Sequence, residues 1–473
     1  MRRPNTKKSF AVITVILLAV GASLTCGLMS GRSANAKSAY NQPNMPATIP
    51  AAASSATTLA AAQTTGVMMP STPIYALNSN NVIFVLWPGA TSFTRLVRVT
   101  QANGNLIGID FRPGDGKNTT LYALTDTGTI YTINLTANGL GNVTKVSNLT
   151  TRFPSGVQSL MDFNPVANAL RLIGSDRLNY AAVNSSGNLN VTAIQTSLSY
   201  DPNDVNKGVA PHVSAGAYDT NFVGATATRF YAIDYDLDTL VTIQPPPTGG
   251  SSATGGGVLQ TLGPLVTPTG QRVNISSTAD FDIYTIPVLF GSPNKLVGLS
   301  GRTFFSIDLS QVNPAVPAGS VTNIVTQGIT MPDDGNDMID IAVTLDSYEA
   351  ENATLGGGSS VDMSFPGFSG TGYVSLGGGV AGGFVDFQVV QNGSRGYFIT
   401  YANGSNVNRP CNITVNGVVV DTFNFPPTGS WSNYSTTLRS INLGAATGFR
   451  NVRITATTAA GGPNIDKVRF GIA

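Results

Sequence analysis

Between Ile74 and Leu345 the chain runs five times through the same figure: a short apolar-rich strand, a polar turn and a second strand. The copies are IYALNSNNVIFVL from Ile74, LYALTDTGTIYTINL from Leu121, LRLIGSDRLNYAAVN from Leu170, FYAIDYDLDTLVTIQ from Phe230 and LVGLSGRTFFSIDLS from Leu296. Their starts lie about 50 to 65 residues apart, enough for three or four strands in each unit. A unit of that size cannot bury an apolar face alone, so copies stack on one another, and a β-propeller of five or six blades is the architecture this spacing predicts. An open sandwich of hairpins is the alternative.

Two copies are preceded by a further strand ending in D-F-x-P, at Asp110-Phe111-Arg112-Pro113 and Asp162-Phe163-Asn164-Pro165. The next copy carries the related string GATATRF just before Phe230. The late strand IDIAVTL, Ile339 to Leu345, is a candidate to close the ring. The strings PPPTGGSSATGGG and NPAVPAGS read as loop inserts.

The last stretch, 346–473, has another texture. Strands such as FVDFQVV and NVRITATT alternate apolar and polar residues between Gly, Asn, Pro and Ser clusters, the pattern of a small all-β sandwich. It also holds the only two glutamates of the 473 residues, Glu349 and Glu351 in SYEAENATL. Residues two apart on an extended strand share a face. Carboxylates held side by side repel unless a cation lies between them, and calcium, with six to eight oxygen ligands, suits such a pair. An exposed acidic strand start is the alternative.

The combination Y-E-A-E, G-x-G-Y-V, Y-A-N-G, V-N-G and a closing N-I-D-K-V resembles the jelly-roll carbohydrate-binding modules of family 6 and the related family 35. The resemblance implies a structural calcium held by Glu349, Glu351 and Asp466, tying the first strand of the module to the last. It implies a sugar site at the loop end formed by Tyr373, Trp431 and Asn464. A sugar ring presents C–H groups on its faces and hydroxyls on its rim, so flat apolar walls and a few aimed polar groups suit it. Thr400, before YANG, departs from the family pattern, where an arginine is usual. The repeat region in turn resembles an uncharacterised bacterial family, the domain of unknown function numbered 4394. IDFRP with LYALTDTGTIYTIN, MDFNP with LRLIGSDRLNYAAVN, and ATRFYAIDYDLDTLVTIQPP carry that resemblance. It implies no activity.

Charged residues make up 11% of the chain and the net charge is +1, which leaves no basic field for nucleic acid. With 52 glycines and 27 prolines the composition fits a turn-rich exported protein. Arg2, Arg3, Lys7 and Lys8, the apolar run to Met29 and Ala34-Asn35-Ala36 read as a signal peptide over 1–36. The same run could serve as an uncleaved anchor, the one route to a membrane. Residues 37–72, rich in Ala, Thr, Ser and Pro, read as a tether. The expected order is therefore leader, tether, propeller-like domain over 73–345 and module over 346–473, in a secreted or cell-surface protein. Of the two cysteines, Cys26 lies in the leader, so Cys411 has no partner after cleavage.

Catalytic signals are sparse. The single histidine, His212, has no G-x-S-x-G with it, and one His with one Cys does not make a zinc site. Glycoside hydrolysis usually needs two carboxyl groups with separated pKa values. Both glutamates lie outside the repeats, leaving Asp110, Asp162, Asp219, the run Asp234, Asp236 and Asp238, or the run Asp333, Asp334, Asp337 and Asp340. An aspartate recurring at one place in a repeat is what a structural strand end shows. The reading is a non-catalytic glycan binder with calcium as its structural ion and no catalytic residue assigned. The alternatives are an extracellular glycoside hydrolase or lyase acting through the propeller, and a protein-interaction scaffold anchored by the module.

Overall fold

The structure, a computed structural model, describes residues 69–471 other than 71, 137–138, 186–187, 244–255, 286–293, 310–311, 313–321, 327, 346 and 447. The leader, nearly all of the tether and most of both loop inserts lie outside the described residues. Within them the fold is all-β, with short 3-10 turns at Pro113–Asp115 and Ala350–Asn352.

Each repeat becomes a four-stranded antiparallel meander. The second comprises Leu106–Asp110, Thr120–Thr125, Thr129–Asn134 and Val143–Asn148, and the third comprises Ser159–Asn164, Ala169–Gly174, Asn179–Ser185 and Asn188–Ile194. The fourth begins at Val213–Tyr218 and the fifth at Asp280–Thr285, and a short parallel pairing of Val258–Val266 with Thr322–Thr326 joins these two into one sheet. The first meander takes its lead strand from the far end of the region: Met338–Val343 pairs antiparallel with Ile74–Asn78. This is the strand IDIAVTL, the candidate for closing the ring, and it pairs with the first repeat. The string GATATRF, by contrast, is an irregular segment that leads into the strand Phe230–Asp234, and Val213–Tyr218 fills the place of the D-F-x-P strands.

Side chains alternate across the strands, so one strand feeds two cores. Tyr75 and Leu77 pack with Ile109, Leu121 and Ile133 of the second meander. Ile74 and Ala76, from the same strand, pack with Val297, Leu299 and Phe304 of the fifth. Further cores join the second meander to the third through Tyr122 and Phe163, the third to the fourth through Ile173 and Phe230, and the fourth to the fifth through Ile233 and Phe305. Strands buried on both faces read as near-continuous apolar runs, which is why IYAL and VIFVL carry so few polar residues.

The lead strands also meet one another: 106–110 lies beside 159–164 and 338–343, 213–218 beside 159–164 and 280–285, and 280–285 beside 338–343. Aspartates cross every one of these junctions. Asp110 accepts from the Phe163 amide at 2.8 Å, Asp162 from Tyr218 at 3.0 Å, Asp280 from Gly216 at 3.3 Å, Asp282 from Val343 at 2.6 Å and Asp340 from Ile109 at 3.2 Å.

The C-terminal strands form a sandwich of a six-stranded and a five-stranded sheet. Arg450–Ala456 alternates buried and half-buried residues along its length, as a strand with one covered face must. Val385, Phe387, Ile399, Ile413, Phe425, Ile454 and Val468 are among the side chains filling one apolar core, which also takes in the buried Cys411. Asn416 (φ 48°) and Gly417 (φ 84°) make the two-residue turn between Arg409–Val415 and Val418–Phe425, both in the left-handed region a tight hairpin requires. Polar contacts join the sandwich to the repeats: Asn118 Nδ2 donates to Ser347 O at 2.8 Å, Asn352 Nδ2 to Asp115 O at 2.7 Å and Asn392 Nδ2 to Pro88 O at 2.9 Å.

Candidate carbohydrate-binding site

Tyr373, Trp431 and Asn464, far apart in sequence, line one pocket of about 210 Å³ at the end of the sandwich, together with Asp362, Phe365 and Arg409. The volume lies below the roughly 300–1,000 Å³ of drug-sized pockets and is on the scale of a single sugar ring. Asn464 opens the last strand, Asn464–Gly471, and is buried. Its amide nitrogen, beside the Tyr373 hydroxyl, makes no well-formed hydrogen bond. A buried donor without a partner is costly unless a ligand supplies one.

Trp431 lies half-buried in the turn between Val418–Phe425 and Ser435–Asn442, as its G-S-W-S-N setting predicts. Its position explains the glycine of Y-A-N-G: a methyl group on Gly404 would collide with the indole. The Asn of the same motif, Asn403, is fully buried, donating to Val407 O and Phe425 O at 2.9 Å each and so fixing the loop under the indole.

Tyr373 departs from expectation. It starts the strand Tyr373–Ser375 rather than a loop, and its 0% exposure removes it as a free stacking face. Phe365, Phe368 and Tyr434 surround it, and its hydroxyl donates to Asp362 Oδ2 at 2.9 Å. Tyr373 therefore forms the floor of the pocket, leaving Trp431 and Phe365, 6.3 Å apart at 33°, as its accessible aromatic walls.

Sequence reasoning missed two charged residues here. The Arg409 guanidinium lies 4.9 Å from the Trp431 ring centre, close enough for a cation–π contact, and donates to Gly462 O at 3.2 Å and to Ala460 O. Asp362 is held ionised, its pKa lowered to about 2 first by the Ser364 hydroxyl and then by the Ser364 amide. The N-R-P-C string around Arg409 gave no motif to follow. Thr400 bonds to Thr436 at 3.0 Å and does not line the pocket, so its departure from the family pattern leaves these walls unchanged.

The second predicted set also converges, by another route. The strand Ser347–Glu349 ends at Glu349, and Glu351 sits in the 3-10 turn Ala350–Asn352, so the two glutamates do not share a strand face. The turn nevertheless swings both carboxylates onto Gly370, where a methyl group would collide with Glu351 Oε1 and crowd Glu349 Oε2. Ser347–Glu349 pairs with the last strand, which brings Asp466 to the same place. The Ser369 hydroxyl contacts Glu349 Oε2 at 2.7 Å and Asp466 at 3.2 Å, while the Lys467 ammonium donates to the Ser369 oxygen at 2.8 Å. Burial raises Glu349 to about 8 and Asp466 to about 6, with the Lys467 charge opposing both shifts. Glu351 Oε2 is buried with no hydrogen-bond partner. An oxygen-only set with an orphaned buried oxygen fits a hard cation, so these residues suit the calcium they were expected to hold.

The aspartates weighed for catalysis have structural partners. Asp110, Asp162 and Asp340 are buried across the junctions between lead strands. Asp219 accepts from the Arg229 amide, and Asp333 pairs with Arg302 at 2.9 Å. Asp234 is buried and accepts from the Tyr200 hydroxyl at 2.7 Å. His212 is half-buried and paired with Asp236. Asp280 and Asp282 were missed: their D-F-D-I string keeps the D-F of the repeat signature but lacks its proline.

The small β-sandwich carries a pocket walled by aromatic residues at one end, and comparison with known proteins places it among carbohydrate-binding modules. Residues 349–471 match the family described as Carbohydrate binding module (family 6). Residues 87–330, just over half of the chain, match Domain of unknown function (DUF4394), and the chain belongs to that family. An exo-beta-D-glucosaminidase of Amycolatopsis orientalis is 33% identical over 184 residues, which is 37% of this chain and 16% of the relative. Endo-1,4-beta-xylanase B of Cellvibrio japonicus is 31% identical over 112 residues, 23% of this chain and 18% of the relative. The chain thus spans less than a fifth of the length of either. A family 35 carbohydrate binding module of Clostridium thermocellum, 31% identical, covers 27% of this chain and 97% of its own, with a TM-score of 0.24. Among the described residues no helix is long and apolar enough to cross a membrane.

Proposed function

We propose that this protein is an exported glycan-binding protein that holds polysaccharide in the pocket of Trp431, Phe365, Tyr373, Arg409, Asp362 and Asn464. The observation that carries the reading is that Tyr373, Trp431 and the buried Asn464, far apart in sequence, line one pocket at the end of the sandwich. Trp431 and Phe365 offer apolar surface to the ring, and Asn464, Arg409 and Asp362 supply donors and acceptors for its hydroxyls. Calcium held by Glu349, Glu351 and Asp466 ties the first strand of the module to its last.

The N-terminal repeats are read as a five-bladed propeller. Five interface cores and five aspartate-crossed junctions support this, with the strand Met338–Val343 completing the first blade. The propeller is a scaffold that presents the module outside the cell. Retention of the full chain on immobilised polysaccharides, with Trp431→Ala beside the parent, tests the reading. Retention that Trp431→Ala removes supports it, and equal retention of both proteins contradicts it. Reducing ends scored in the same experiment would reveal a hydrolase if they accumulate with time.

A further inference from the structure

The centre of the repeat region is charged where a core is ordinarily apolar. Asp110, Asp162, Asp280, Asp282 and Asp340 lie on four of the lead strands, and none is more than 4% exposed. Asp110, Asp162 and Asp282, from three different meanders, each bring a carboxylate oxygen within 4.8 Å of the other two. Backbone amides satisfy part of each carboxylate: Phe111 and Phe163 donate to Asp110, Tyr218 to Asp162, and Ile283 and Val343 to Asp282. A carboxylate has about four acceptor positions, so one or two amides leave capacity on each.

Asp340 adds an independent sign. One of its oxygens accepts from Ile109, while the other, Oδ1, is buried without a hydrogen-bond partner. Its neighbours are carboxylates: Asp280 lies within hydrogen-bonding reach, and Asp110 is close enough to repel it. Gly108, beside them, keeps the space open, since a methyl group there would press on Asp340 Oδ2 at 2.9 Å and on Met161. An acceptor facing acceptors in a buried site needs a proton or a cation between them.

We propose that Asp110, Asp162 and Asp282 bind a structural divalent cation of the calcium type, with Asp340 and Asp280 completing its negative surroundings. Oxygen-only ligands select a hard ion. The three carboxylate oxygens, all within 4.8 Å of one another, fall inside the roughly 5 Å that calcium spans between opposite ligands, and its flexible coordination tolerates a set fixed by three separate strands. The ion joins three meanders where their lead strands bring like charges together. Burial raises the pKa of all five carboxyls, Asp282 to about 7, and repulsion from neighbouring carboxylates adds to the shift for Asp110, Asp162 and Asp340; a bound cation offsets both.

The test uses the full chain with Glu349→Gln and Glu351→Gln, which disable the site proposed in the sandwich. After exchange into metal-free buffer, elemental analysis should find about one calcium per chain, and chelator should lower the melting temperature. Terbium substituted for it should show a luminescence lifetime nearly equal in H2O and D2O, because a site this buried excludes water from the ion. Adding Asp162→Asn should remove the retained metal. A metal-free chain whose melting is unchanged by chelator overturns the proposal and leaves shared protons between the carboxyls. So does a terbium ion carrying several waters, or calcium retained by a folded Asp162→Asn protein. Where Asp162→Asn fails to fold, metal content and terbium hydration of the parent decide.

Discussion

The repeats and the sandwich of this chain place their buried carboxylates in different settings. The sandwich keeps its core apolar and holds the buried Glu349 and Asp466 against Ser369 at a strand end, with Asp362 at the pocket rim. In the repeats each interface between meanders is apolar, and the aspartates are gathered at the junction of the lead strands, where they accept from neighbouring backbone amides. The difference follows from what each must join. A sandwich is held by one continuous core, whereas meanders that meet along single strands need cross-links where their amides would otherwise be buried without partners. Acceptors there serve the backbone of the neighbouring strand, whereas Glu349, Asp466 and Asp362 in the sandwich accept from the Ser369 and Ser364 hydroxyls.

If that contrast holds, Asp110→Ala should be the most damaging single change. It strips the acceptor from the Phe163 and Phe111 amides, at about 1–3 kcal/mol for each buried donor left unpaired. Asp110→Asn, which keeps an acceptor, should lose markedly less. Chemical denaturation of the two variants measures the difference, and equal losses would mean that the charge, not the amide cross-link, is what matters.

Trp431→Ala should come next, and only in binding. Truncating an aromatic anchor costs about 2 kcal/mol or more, so affinity for glycan should fall well over tenfold while the melting temperature stays near that of the parent. Unfolding instead would place the indole in the core.

A third effect is set by pH. The folded state raises Glu349 from 4.5 to about 8 and Asp466 from 3.8 to about 6, chiefly by burial. The folded protein then holds more protons than the unfolded chain between those values, so in chelator it should lose stability as pH rises from about 4.5 to 8. Calcium should flatten that slope, and so should Glu349→Gln. Thermal melts across this range, with calcium and with chelator, measure both. The smallest effect is expected for Asn464→Ala, about 1 kcal/mol in binding for one hydrogen bond lost. Trp87, in the repeats, serves as the control.

Much of this was legible because the signals were local. The five hairpins show in the repeat strings, and IDIAVTL shows as a strand, which pairs with Ile74–Asn78. The residues of the sugar pocket and the carboxylate cluster could be named because motifs carry them. Burial and chain direction were harder to read. Tyr373 looked like a loop-end wall until Phe365, Phe368 and Tyr434 closed over it, contacts made across the fold that spacing in sequence does not record. Glu351 left the strand through a single 3-10 turn too short for any periodicity to reveal. Asp280 and Asp282 escaped notice because the recurring feature is the aspartate's place on the lead strand, and the proline that marked two copies is missing from theirs.

The central claim is that the pocket of Trp431 and Asn464 is where this protein meets glycan. The most direct measurement is titration of the full chain with oligosaccharides released from whichever polysaccharide retains it, followed by NMR of the indole N–H of Trp431 and the side-chain amide of Asn464. The account predicts saturable shifts of both signals, with the indole signal of Trp87 unmoved. Binding that leaves Trp431 and Asn464 unshifted would contradict it and place the ligand on another face of the molecule.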